Sequence, residues 1–356
     1  MKIINTPNIF LKITLFFAMS VLLSCGGSDD GSGSSTDTTP SNLTINSEIV
    51  GVTTALPNGD GSGIVNFTVN ATNATSYKIL VEGQTINSTT GVFSYTFNQA
   101  GTNTYTVYVS AYNGSKFISA NKNITVFVTP TLAWSDEFDV DGAPNPAKWG
   151  YDTGNGGWGN GELQNYTNRP ENSFVSGGTL KIITLKEDLG GSNYTSARLK
   201  TQSKFSFKYG RVEIRAKLPA GAGTWCALWM LGDNISSLGW PACGEIDIME
   251  HLGASPNVIH GSLHYPGHSG GNADTSATTI SNATSAFHVY SVDWNSTSIK
   301  FYVDGVLFKT FANSSGLAFN NNFFLIINNA MGGWGGTVDP AFISSTYEID
   351  YVRVYQ

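Results

Sequence analysis

The sequence predicts an all-β fold: a two-sheet sandwich of jelly-roll type, one sheet bowed into a cleft, preceded by a smaller β-sandwich. Two observations carry this. Only 13% of the residues are charged while glycine numbers 40 and aromatics reach 12%, a balance that suits short strands and tight turns. Apolar/polar alternation also recurs in short runs bounded by Gly, Asn and Asp, and long amphipathic helices are hard to find. With 356 residues there is room for two β units and appendages. A formal charge of -7, with no Lys/Arg cluster beyond the N-terminus, argues against a nucleic-acid or acidic-lipid surface and favours an uncharged or weakly charged ligand.

In chain order, MKIINTPNIFLKITLFFAMSVLLSC starts with lysines, runs through a short apolar core and ends in Leu22-Leu23-Ser24-Cys25. It resembles a bacterial lipoprotein signal peptide, residues 1–24, cleaved to leave Cys25 lipidated. That resemblance implies a lipid-anchored protein of the bacterial cell envelope, on the outer-membrane surface, and a monomer is expected. Residues 25–41 read as a Gly/Ser linker. Residues 42–129 alternate, as in TSYKILVEG and NTYTVYVSAYNG, and YTFNQAGTNTYTVYVSAYN resembles the end of PKD or related immunoglobulin-like modules. No cluster of catalytic residue types and no aromatic platform is evident there, so a spacer role is expected. Composition changes after Pro130: all eight tryptophans lie from Trp134 onward. Residues 130–356 carry the strands GTLKIITL, RVEIRAKLP, WCALWML, GEIDIME, VIHGSLHY, NNFFLIINNA and YEIDYVRVYQ, with a hairpin turning on Asp304-Gly305.

GEIDIME places Glu245, Asp247 and Glu250 in one apolar run. Strand side chains alternate, so Glu245 and Asp247 share a face and Glu250 has the wrong parity. Either Glu250 points into the opposite, packed face, or an extra residue, Met249 or Ile248, forms a β-bulge that returns it to the first. With the bulge, the two glutamates stand about 13 Å apart at the backbone, and leaning inward they approach the about 5 to 5.5 Å carboxyl separation of a retaining glycosidase. Glu245 is then the nucleophile, Glu250 the acid/base and Asp247 the group that orients the nucleophile. Mutual repulsion keeps one of the three protonated near neutral pH.

The segment Gly244 to Glu250 resembles the ExDxxE signature of glycoside hydrolase family 16. LAWSDEFD, GGWGNGELQNYT, SARLKTQSKFSFKYGRVEIRAKLP, GTWCALWMLG, GWPACGEIDIMEHLG, HGSLHYPG and YEIDYVRVYQ extend the resemblance, in order, across residues 131 to 356. It is similar to the laminarinase branch, which implies an endo-acting β-1,3-glucanase on a β-jelly-roll with a β-glucan as its partner. Agarases and carrageenases of the same family are the alternative, and a non-catalytic glycan-binding surface protein is a third. The resemblance assigns sugar contacts to Asn160, Arg198, Trp240 and His264. Trp225 and Trp229 share strand parity and are expected along the cleft as well, whereas His251 and His260 are expected to be structural. No cofactor for catalysis is implied. A structural calcium is, with Glu137, a carbonyl near Gly178 and Asp350 as its ligands. Cys226 stands where related sequences commonly have proline; it and Cys243 are either a disulfide or two buried thiols.

Overall fold

The computed structural model describes residues 38–356. The signal segment, Cys25 and most of the linker lie outside the described residues. Strands Ser41–Ile49, Ile64–Thr72 and Val92–Thr96 form a three-stranded sheet, and Gln84–Ser88, Ser76–Val81, Gly101–Asn113 and Lys116–Val128 a four-stranded one. The alternation seen in sequence becomes their two faces. Val65, Phe67 and Val69 of one sheet meet Ile79, Val107 and Val109 of the other in a core of their own. No strand of these two sheets pairs with a strand of the sheets that follow.

From Leu132 onward the chain builds a second, larger sandwich. The outer, ten-stranded sheet contains Thr179–Leu189, Ser344–Tyr355, Gly210–Lys217 and His288–Trp294 side by side. Its first strand, Leu132–Asp136, pairs with the last, Ser344–Tyr355, which joins the beginning and end of this unit. The inner sheet has seven strands in the order Asp274–Thr279, Val258–His264, Glu245–Leu252, Thr224–Gly232, Phe323–Met331, Arg198–Lys200 and Gly150–Asp152. Between the sheets lies a core of Leu180, Ile214, Leu228, Ile246, Tyr290 and Ile327, all fully buried. Burial of so many large apolar side chains, each worth roughly 1.5–3 kcal/mol, fixes which face of every inner strand points inward. The other face is thereby left to the cleft.

Cys226 and Cys243 are two free, buried thiols. Cys226 keeps full ladder pairing with Asn329 and His251, so its strand runs without the interruption a proline would bring.

Candidate active site

The parity question is decided by the ladder. Along Thr224–Gly232, Ala227 pairs with Glu250, Leu228 with Met249 and Trp229 with Asp247, so Ile248 is the extra residue. On the other flank Asp247 faces Ser262 and Glu250 faces His260, with Gly261 alone opposite Ile248 and Met249. Ile248 and Met249 both enter the core with no exposed surface. Without the bulge Glu250 would lie among them, and an unpaired carboxylate there costs several kcal/mol. Gly261 makes room: a Cβ at this position would stand 3.0 Å from both Phe301 and Phe308. Four residues of the partner strand, His264 to His260, span Glu245 to Glu250, which is about 13 Å at the backbone.

Each carboxylate is held differently. Glu245, half-buried, accepts a 3.0 Å hydrogen bond from Trp240 Nε1, and its other oxygen lies 3.6 Å from His264 Nε2. Glu250, buried, accepts from Trp225 Nε1 at 3.1 Å and from Ser262 Oγ at 2.8 Å. Asp247, also buried, stands between them, with an oxygen within 4.8 Å of one of Glu245 and of a His264 ring nitrogen. His264 Nε2 approaches Asp247 Oδ2 to 3.2 Å without the alignment of a hydrogen bond, and that oxygen has no other partner. Since the Gly270 N–H donates to His264 Nδ1 at 3.1 Å, the neutral ring carries its proton on Nε2, facing the two acids.

Burial is the leading cause of a raised pKa in all three acids. The neighbouring Asp247 charge pushes Glu245 further up, and the Glu250 charge does the same to Asp247. Donation from Ser262 and Trp225 opposes the rise at Glu250. The cluster therefore keeps a proton above the ordinary carboxylate range. Behind the strand, the buried Lys309 ammonium donates to Gly261 O at 3.2 Å and pairs with Asp274 at 2.9 Å. It steadies the strand opposite the bulge and draws Asp247 toward ionisation.

Trp225 and Trp229 face the cleft as their parity predicts, one bonded to Glu250 and the other to Asn328 at 2.8 Å. Trp240 is 47% exposed at one end of the acid row. Arg198 is held by protein groups. Its Nε is bonded to Asp152 at 3.1 Å, and its guanidinium lies 4.8 Å from both the Trp158 and Trp229 rings. Arg198 is the spacer between two indoles, worth roughly 0.5–2 kcal/mol per cation–π contact, so its first role is to set the cleft wall. His251 is structural as expected, bonded to Pro256 O at 3.1 Å. His260 is the ladder partner of Glu250, 4.9 Å from the half-exposed Trp334 ring.

Several contributors were missed in the sequence. Glu162, buried, gathers Asn160 Nδ2 at 3.0 Å, Gln164 Nε2 at 2.7 Å and Tyr166 OH at 3.1 Å. Tyr166 accepts from Asn328, which accepts from Trp229, so one polar chain runs from Asn160 to the cleft indole. The alternation of ELQNY, with Glu162, Gln164 and Tyr166 on one side, was the available signal. Glu162→Gln turns an acceptor-only group into one that must offer an amide to donors. We expect a fall in kcat/KM of about tenfold with a folded protein, the cost of one mismatched buried hydrogen bond; steady-state kinetics beside a melting curve check it.

The expected calcium ligands are not assembled. Glu137 is gripped by Arg353 through both carboxylate oxygens, at 3.0 and 2.8 Å, and Asp350 pairs with Arg215 at 2.5 Å. Gly178 occupies a tight turn at φ 75°. With each carboxylate already neutralised by its own arginine, these residues do not fit a cation in this arrangement.

A family model described as glycosyl hydrolases family 16 matches residues 160–353, more than half of the chain. The chain belongs to that family. A β-glucanase of Rhodothermus marinus is 46% identical over 242 residues, covering 63% of this chain and 85% of the relative. The crystal structure of the laminarinase from the same organism has a TM-score of 0.62 at 46% identity, covering 64% of this chain and 97% of that one. LamA of Z. galactanivorans, solved with laminaritriose and laminaritetraose, has a TM-score of 0.59 at 43% identity, covering 64% of this chain and 99% of that one.

Proposed function

We propose that the protein is a retaining endo-hydrolase of internal β-1,3-glucosidic bonds in laminarin-type glucans. The observation that carries this is the bulge at Ile248, which sets Glu245, Asp247 and Glu250 on one face between the indole donors of Trp240 and Trp225. Two carboxylates on one face, reaching toward a common point from about 13 Å apart at the backbone, suit double displacement. Glu245 attacks the anomeric carbon as Glu250 protonates the departing oxygen. A covalent glycosyl ester forms, and Glu250, now ionised, takes a proton from the water that releases it. Asp247 holds Glu245 in line and takes up or returns charge as the ester forms and breaks.

The character of the cleft supports a neutral glucan over a sulfated galactan. Among the described residues of the inner face, Arg198 and Lys200 both pair with Asp152, so neither cation is offered to a sulfate. Exposed or half-buried indoles supply the stacking surface that a glucose ring needs. The similarity to a laminarinase and to LamA solved with laminaritriose and laminaritetraose agrees with this choice. Reducing-sugar release from laminarin, lichenan, agarose and carrageenan tests it: release from laminarin foremost is expected, and release from agarose or carrageenan alone overturns it.

We also propose attachment to the envelope through a lipid on Cys25, as the lipobox-like Leu22-Leu23-Ser24-Cys25 supports. Cys25→Ala is expected to move the protein from the membrane to the soluble fraction with unchanged kcat. Continued membrane association of the cleaved variant would sink this reading.

A further inference from the structure

The four-stranded sheet of the N-terminal sandwich has one face in its core and one in solvent, and the solvent face is not uniform. Tyr77, Ile79, Tyr105, Val107 and Val109 point inward. Their neighbours of opposite parity point out. At one end of that outer face Thr104 and Thr125 bond each other at 2.8 Å, as do Thr106 and Asn123, an ordinary wetted surface. At the other end the same strands carry large apolar and aromatic side chains. Tyr108 is 52% exposed, Phe117 57% and Leu80 42%. Tyr112 pairs across the ladder with Phe117, ring centroids 5.3 Å apart at 31°.

Polar side chains border these rings in register. Lys78 stands between Asn87 and Ser110, and Tyr108 lies opposite Asn121. Two shallow depressions of ≈ 500 and ≈ 400 Å³ lie on this surface and share Lys78 and Tyr112. The two central strands, Ser76–Val81 and Gly101–Asn113, are paired on both sides, so their backbone amides are committed to the ladder. What remains on offer is ring faces, amides and hydroxyls, with Lys78 the charged group among the described outward residues of these strands. Scattered single aromatics need no explanation, but rings gathered at one end of a sheet whose other end is polar do.

We propose that this face is a second carbohydrate-binding site, taking a β-1,3-glucan chain across Tyr108, Tyr112 and Phe117. Tyr108 and Tyr112 are separated by four strand residues, about 13 Å, a spacing on the scale of a short oligosaccharide. Pyranose rings present apolar C–H faces to aromatic rings and hydroxyls to the flanking Asn87, Asn121 and Ser110, and a neutral polymer asks for no further charge. The choice of glucan rests on the catalytic reading above. The module would hold the enzyme on polymeric substrate and raise the local concentration of bonds for the cleft.

Sedimentation of the isolated module, residues 38–129, with particulate β-1,3-glucan tests this, its own core and sheets making it a folding unit. The wild-type module is expected to sediment with the glucan. Tyr108→Ala with Phe117→Ala is expected to weaken binding at least about tenfold, while Thr104→Ala at the polar end leaves it unchanged. Both substitutions are at exposed positions, and circular dichroism checks the fold. Absence of wild-type binding, equal binding by the double variant, or retention on agarose in preference to β-1,3-glucan would each overturn the proposal. So would self-association abolished by the double variant without glucan retention, which would make the face a contact between copies. Laminaritetraose turnover by the full chain is measured alongside. A chain that cleaves it while its module ignores glucan loses only this inference; one whose module binds while the chain fails to cleave loses only the catalytic reading.

Discussion

Glu245→Gly is expected to lower laminarin turnover by at least about 10⁴-fold, the scale on which removing a nucleophile acts when the rest of a site survives. The strand should survive. Glu245 is its first residue, half-buried, and its ladder partners Leu231 and His264 are backbone contacts that glycine keeps. What disappears is the carboxylate, one oxygen of which Trp240 holds while the other faces His264. The gap lies on the face opposite the leaving group, so azide can enter and attack an activated glycoside directly. One inversion then gives an α-glycosyl azide, which NMR of the product identifies. Asp247→Asn should differ: a lower rate through misplacement of Glu245, without rescue by azide, because no space opens at the anomeric carbon. A β-azide from Glu245→Gly would exchange the roles of the two glutamates.

How much of this was readable beforehand follows from where the information lies. Strand alternation and the three acids are local, so the sandwich, the bulge and the acid row were legible in GEIDIME and its neighbours. Which residue bulges was not: Ile248 and Met249 are both apolar and both buried, and only the pairing of Met249 with Leu228 singles out Ile248. Ser262 was hidden because a serine in HGSLH has many ordinary uses; its role needs Glu250 across the ladder. The stacking of Arg198 between Trp158 and Trp229 was hidden because it joins residues 40 and 31 positions away, and no local pattern reveals it. The same holds for Glu137 and Arg353, which are 216 residues apart. The ring surface of the N-terminal module escaped notice for another reason. Tyr108 and Tyr112 lie on one strand, but Leu80 and Phe117 come from its two neighbours, and a platform is visible only when the strands are laid side by side.

Glu250→Gln should fail in a different way from Glu245→Gly, and pH makes the difference visible. With laminarin, whose leaving oxygen needs a proton, we expect a loss of about 10²–10⁴-fold, the usual range for a missing general acid. With an activated leaving group the first step should stay fast, so the covalent ester accumulates and a burst of leaving group precedes slow turnover. Glu250→Ala, which also opens space, should be accelerated by azide and give the β-azide after two inversions. In the wild type, activity needs Glu245 ionised and Glu250 protonated. Burial raises both, so the acid limb of the profile should lie above the ordinary glutamate range, and the alkaline limb should follow loss of the Glu250 proton. Removing that proton removes its limb: kcat/KM of Glu250→Gln on the activated substrate should no longer show the alkaline fall. Stability carries the matching sign. A carboxyl whose folded pKa is raised binds a proton that the unfolded chain releases from the ordinary glutamate value of about 4.5, so the wild type loses stability as pH rises from there through the raised folded value. Glutamine does not titrate, and the melting temperature of Glu250→Gln should vary less with pH over that window. An alkaline limb and a melting profile both unchanged from wild type would remove Glu250 from the acid/base role.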